Sequence, residues 1–186
     1  MGKETGFSLL ELMVVCAILA IISVIAIPNI AQINANYKLN GAGHSVASLL
    51  QQARMQAVKT NQPAYVKYDT VKNLAFITSD PGNAYANGNP DVALAGGLSF
   101  QGVPADHTQL DAFVGATPNL GGSIGFNARG LPCTISGGNP AVCTSVTSGF
   151  EWFIQNANGG FEAVTVNPSG RTKCWRLTSA ANGIWQ

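Results

Sequence analysis

The chain has 186 residues, only 10% of them charged, and a net charge of +1; an ordinary soluble domain carries roughly 25% charged residues. So neutral a balance excludes a bulk electrostatic preference for nucleic acid or for an acidic partner. The length allows one compact domain with an appended element, and the abundance of Gly, Asn, Ser and Thr beside scarce Lys and Glu suits a strand-and-loop domain outside the cytoplasm.

The first predicted element is an apolar run from Phe7 to Ile27, interrupted only by Ser8, Glu11 and Ser23. As a helix it would be about 31 Å long, enough to cross a hydrocarbon core of about 30 Å. Lys3 on its N-terminal side places residues 1–6 in the cytoplasm and the rest outside. A secretory signal would have a shorter apolar region followed by a small-residue cleavage site. Here Pro28-Asn29-Ile30 and further helical sequence follow, so the span is expected to be retained.

Beyond Pro28 the pattern becomes amphipathic. Ile30, Ile33 and Tyr37 recur at helical spacing, as do Val46, Leu49, Leu50, Ala53, Ala57 and Val58, with Gln, Asn, Lys and Arg on the other face. Gly41-Ala42-Gly43 is a soft spot between the two halves. A helix over residues 7–60 would be about 80 Å long. Pro28 is expected to kink it, because its ring displaces a carbonyl and supplies no donor. The apolar face beyond the kink must pack on the remainder of the chain.

That remainder reads as antiparallel β. Ala64–Tyr68 and Leu74–Thr78 flank a polar turn and predict a hairpin. Asp80 to Asp91 is a loop by its Pro, Gly and Asn content. Short strands are expected at Leu98–Val103 and Ser123–Phe126, a second hairpin at Phe150–Gln155 and Phe161–Val166 around Asn-Ala-Asn-Gly-Gly, and a last strand at Arg171–Leu177. No repeat and no long linker is present. The fold class expected is α+β, a long, partly transmembrane N-terminal helix packed on an antiparallel sheet domain.

Gly6-Phe7-Ser8-Leu9-Leu10-Glu11, a retained apolar helix, Pro28 and a β-rich C-terminal domain together resemble the type IV pilins and type II secretion pseudopilins. In that superfamily a prepilin peptidase cuts after the glycine, here Gly6, and methylates the new N-terminus, here Phe7. Residues 49–58, Ile124-Gly-Phe-Asn-Ala-Arg-Gly130 and Val164-Thr-Val-Asn-Pro-Ser-Gly-Arg171 resemble the GspH/FimT group of minor pilins. The expected division is a leader over 1–6, a transmembrane and polymerisation helix over 7–28, its amphipathic continuation over 29–60, and a periplasmic β-rich domain over 61–186. The resemblance implies a single-pass inner-membrane protein that then enters a pilus or pseudopilus, at initiation or at the tip. Its partners would be other subunits, prepilin peptidase and the inner-membrane assembly platform.

Glu11 is the chemical oddity of the apolar run. A residue close to the new terminus could simply snorkel to the interface. Yet an ionised group within a span costs a few kcal/mol and usually marks a function or a partner. The resemblance supplies one: Glu11 of an incoming subunit pairs with the Phe7 ammonium of its neighbour, as a buried carboxylate requires.

Arg171, Lys173 and Arg176 stand in a tail, residues 167–186, that holds no acid. Such cations could neutralise phosphates, with Trp175 or Trp185 stacking on exposed bases, so DNA is a candidate partner. Some FimT-like pilins that bind DNA in natural transformation carry Gly-Arg-x-Arg here. This chain has Gly170-Arg171-Thr172-Lys173, which keeps the charge but not the bidentate fork. The alternative is an edge strand whose charges discourage sheet-to-sheet association, or a protein contact.

Cys16 within the apolar run reads as a small apolar residue. Cys133, Cys143 and Cys174 would face an oxidising periplasm and allow three pairings. Cys133–Cys143 is preferred because these two bracket a Gly/Pro/Ser/Thr-rich loop, leaving Cys174 buried or free. No cysteine pair has zinc-ligand spacing and neither His44 nor His107 lies beside one. The Asp80–Asp91 loop lacks EF-hand spacing. No metal or cofactor is expected, both histidines read as surface groups, and the absence of a Walker A or Gly-x-Ser-x-Gly sequence argues against an enzyme. Three readings remain open: a pilus minor pilin, a type II secretion minor pseudopilin without DNA binding, and a membrane-anchored binding domain that never polymerises.

Overall fold

One helix organises the molecule. In the computed structural model, which describes residues 8–80, 82, 84–86, 88–101, 104, 107–115, 118–120, 122–136, 142–177 and 184–186, α1 runs from Leu9 to Thr60 without interruption. The backbone stays helical through Pro28. Lys59 lies in the last turn, where it complements the helix dipole, and Asn61 closes the helix in the left-handed conformation, φ 53°.

The two halves of α1 have different surroundings. From Leu39 onward a stripe at three- and four-residue spacing is buried: Leu39, Ala42, Val46, Leu49, Leu50, Ala53 and Ala57. Leu9 to Ile33 instead carry large apolar side chains that are exposed. The expected packing face is therefore shorter than its sequence pattern. Ile30, Ile33 and Tyr37 are 62%, 52% and 72% exposed, because the buried stripe begins only at Leu39. Val58 is exposed as well. Among the described residues no helix is long and apolar enough to cross a membrane; the apolar run begins at Phe7 and includes the side chain of Ile25, both outside them.

The domain is built from two sheets that both meet α1. The first contains β1 (Ala64–Asp69), β2 (Leu74–Thr78), β3 (Asp91–Ala93), β6 (Ile124–Phe126), β7 (Pro132–Ser136) and β8 (Val142–Ser145), in the order β3-β2-β1-β6-β7-β8. The second contains β4 (Leu98–Gln101), β9 (Phe150–Asn156), β10 (Phe161–Val166) and β11 (Thr172–Arg176), in the order β11-β10-β9-β4. A two-residue strand, β5 (Asn119–Leu120), lies parallel to β9, and a short helix, α2 (Thr108–Val114), packs against β10.

Both predicted hairpins form. In the first, Asp69 accepts hydrogen bonds from the Val71 and Lys72 amides, 2.9 and 3.0 Å, which fixes the turn. In the second, the Asn156 side chain accepts from Asn158 and Gly160. The strands expected at Ser123–Phe126 and Arg171–Leu177 form one residue shorter at one or both ends, and β4 is described to Gln101, with Gly102 and Val103 outside the described residues. The loop expected through Asp91 gives way at Asp91 to β3, which edges the sheet beside β2.

Alternation along β9, β10 and β11 sorts side chains onto two faces. Phe150, Trp152, Ile154, Val164 and Val166 join the helix stripe in the main core, with Cys174 against it. Tyr68 stacks on Phe100 with centroids 4.9 Å apart, and both meet the edge of Trp152. The opposite face carries Phe153 and Ala163, which form a second small core with Leu110 of α2 and Trp185, with Trp175 packed against it.

Candidate functional site

Glu11 stands in the first turn of α1, three residues after the N-cap Ser8, whose side chain makes no capping hydrogen bond. It is exposed on a surface of Leu9, Leu10, Leu12, Met13, Val14, Val15 and Ile18, all exposed too. Ser23 hides its hydroxyl by donating to the Leu19 carbonyl at 2.7 Å. Glu11 has no ion-pair partner among the described residues. Gly6 and Phe7 lie outside the described residues, as does the side chain of Pro28.

The C-terminal cations do not form one patch, because β11 alternates. Lys173 and Trp175 point to the α2 side, where the Lys173 ammonium sits 3.3 Å from the centre of the Trp175 ring. The Trp175 indole donates to Thr165 Oγ1 at 2.8 Å, and Phe113 meets its ring edge. Arg171 lies over Phe113, 5.9 Å from the ring centre. Arg176 turns to the α1 side. With the Asn40 amide oriented to donate to Glu162 at 2.8 Å, its oxygen accepts from Arg176 at 3.2 Å. Glu162 is buried, and burial pushes its carboxyl up to about 7 despite the opposing pull of Arg176. A Cβ at Gly43 would lie 2.7 Å from the Glu162 Cδ, so glycine is what lets α1 pass over this carboxyl. Trp185, at 5% exposure, is buried and offers no face for a base.

The three stretches that resemble the GspH/FimT group meet at Arg54. Its guanidinium donates to the Gly170 carbonyl at 3.0 Å, and Gly130 and Gly170, both at positive φ, pack against it. A groove of about 560 Å³ runs beside this junction, lined by Arg54, Met55, Val58, Lys59, Arg171 and Thr172.

Cys133 and Cys143 form a disulfide across β7 and β8, with Cα atoms 5.3 Å apart. Cys16 is exposed and free, and Cys174 is half-buried and free, its thiol pushed up to about 11 by burial and by Glu162. His44 is exposed on α1. His107 is not a free loop histidine: it precedes α2, is only 22% exposed at its side chain, and holds Nδ1 3.3 Å from Oε2 of the wholly buried Glu151. Asp111 completes this cluster, which sequence spacing could not reveal, since Glu151 is brought in by the tertiary fold. A lone Glu in the apolar strand Phe-Glu-Trp-Phe-Ile was the available signal.

A long helix with an exposed apolar first half and a second half embedded in antiparallel sheets defines a pilin-like subunit. Residues 1–27 match the prokaryotic N-terminal methylation motif, and residues 42–170 match the family described as type II transport protein GspH. The chain belongs to the GspH family. Among solved structures it is similar to the minor pseudopilin EpsH from the type 2 secretion system of Vibrio cholerae, at 14% identity and TM-score 0.46, covering 76% of this chain and 99% of that one. It is also similar to the type IV minor pilin FimU of Pseudomonas aeruginosa, at 15% identity and TM-score 0.44, covering 79% and 92%. A second crystal form of FimU gives 14% and 0.48, covering 77% and 95%. No curated protein matches the chain. The family makes this chain a minor pseudopilin or pilin of type II secretion or type IV pili, which assembles with other such subunits after processing by prepilin peptidase.

Proposed function

We propose that the chain is a non-enzymatic filament subunit that inserts in the inner membrane through residues 7–28, loses residues 1–6, and polymerises by packing α1 against neighbouring helices at the initiating or tip end. The observation that carries this reading is the exposed apolar surface from Leu9 to Ile33 with Glu11 set into it. A surface of that length is covered by lipid before assembly and by other helices afterwards. Once lipid is gone, a carboxylate among apolar helices needs a cation, and the Phe7 ammonium released by cleavage after Gly6 supplies it. The assembly platform extracts the subunit from the bilayer. The test is recovery of the chain in the sheared filament fraction. It is expected there in cells with active prepilin peptidase and absent without it; retention in the inner membrane in both would overturn polymerisation.

Between the two filament systems, the match to the type II transport protein family favours the secretion pseudopilus. DNA binding is the weaker second reading. Arg171 and Lys173 are exposed, and Arg171 shares the groove with Arg54 and Lys59, which supports it. Arg176 and Trp175, however, are engaged within the domain. A gel shift of the full chain in detergent is expected to show no DNA complex that Arg171→Ala/Lys173→Ala weakens. A salt-sensitive complex lost in that variant would establish DNA binding.

A further inference from the structure

We propose that His107, Asp111 and Glu151 bind a divalent first-row transition ion, zinc above all, between α2 and β9. One potential ligand atom from each lies within 4.8 Å of the others, and this is the one such group among the described residues. His107 and Asp111 are four residues apart, which sets them on the same side of α2, and Glu151 faces them from the outer face of β9.

The independent sign of a ligand is what the buried atoms lack. Glu151 has no solvent exposure, and neither of its carboxylate oxygens has a hydrogen-bond partner. His107 Nδ1 and Asp111 Oδ1 are buried without one too. The 3.3 Å approach of His107 to Glu151 lacks a hydrogen bond's alignment. Interiors satisfy such groups almost everywhere, and two carboxylates sharing a site repel each other unless a cation lies between them or one of them holds a proton. No lysine or arginine pairs with either carboxylate among the described residues. A dication would balance both charges.

The donor set names the class of ion. One imidazole nitrogen and two carboxylates suit zinc and its neighbours, whereas calcium takes six to eight oxygens. Three protein ligands leave a position for water, which the partly exposed His107 and Asp111 side can admit. Zinc bonds of about 2.0–2.2 Å set tetrahedral ligand atoms about 3.4 Å apart. The present spacing, up to 4.8 Å, must therefore close, by rotation of the His107 and Asp111 side chains, which are only partly buried. The ion would tie α2 to β9 and so fix Phe113, which carries Arg171 and the edge of Trp175.

The full chain in detergent, stripped with a chelator, is titrated with zinc and separately with calcium while bound metal and melting temperature are followed. One zinc per chain is expected, with melting raised by roughly 5–10 °C at a hundredfold excess over Kd. Calcium should give no comparable shift. Glu151→Gln and His107→Ala should abolish the zinc effect, and His44→Ala should retain it. Should Glu151→Gln not fold, Asp111→Asn at its less buried position reads the same loss. Cobalt bound at this site should give a visible absorption band that His107→Ala removes. Absence of zinc binding, a zinc shift that survives these variants, or an equal response to calcium would overturn the site and leave a shared proton between the carboxyls.

Discussion

Glu162 sits at the seam between α1 and β10, 2% exposed, with Asn40 and Arg176 as its polar neighbours and Gly43 above it. Burial raises its folded pKa from 4.5 to about 7, against the lowering influence of Arg176. The folded chain therefore holds more protons here than the unfolded chain between those values. This contribution to stability is complete below about pH 4.5 and declines as pH rises through about 7. In chelator-containing buffer, denaturation of the full chain is expected to show stability falling from pH 5 to 8. Glu162→Gln should reduce that fall by on the order of 2 kcal/mol; an unchanged slope would show that Arg176 keeps the carboxylate ionised throughout. Arg176 itself illustrates how far single residues are legible. Its charge was visible in the sequence beside Arg171 and Lys173, but its direction was not, because strand parity sends Lys173 outward and Arg176 toward α1.

The β7–β8 hairpin, joined by Cys133 and Cys143, closes a loop with a sequence separation of 10. Removing both thiols with Ser should cost about 2–3 kcal/mol through loop entropy regained by the unfolded chain, read as a lower denaturant midpoint. Loss much below 1 kcal/mol would mean that the sheet alone closes the hairpin. Elements of this kind mark the limit of sequence reading. The β1–β2 and β9–β10 hairpins were legible because apolar strands flank strong turn sequences. β7, β8, β3 and β5 are short or polar, and sheet neighbours far away in the chain decide that they form strands at all. α2 is only seven residues, too short for a helical period to declare itself. His107, Asp111 and Glu151 were invisible as a group for the same reason, since the tertiary fold alone joins α2 to β9.

At the scale of the whole molecule, α1 divides the chain into a part that folds and a part that awaits partners. The second half of the helix supplies one wall of the core, as its apolar stripe predicted, although that stripe begins at Leu39 and not at Ile30. The first half keeps Leu9 to Ile33 on its surface, and family membership explains why so much apolar area is tolerated. On the proposed reading, Glu11 is the residue on which assembly turns. Its most direct measurement is the amount of chain in sheared filaments when Glu11→Ala replaces the wild type, normalised to the processed chain in the inner membrane. The prediction is normal membrane insertion and normal cleavage after Gly6, with incorporation lowered at least tenfold. Incorporation equal to wild type would contradict the pairing of Glu11 with a neighbouring Phe7 amine.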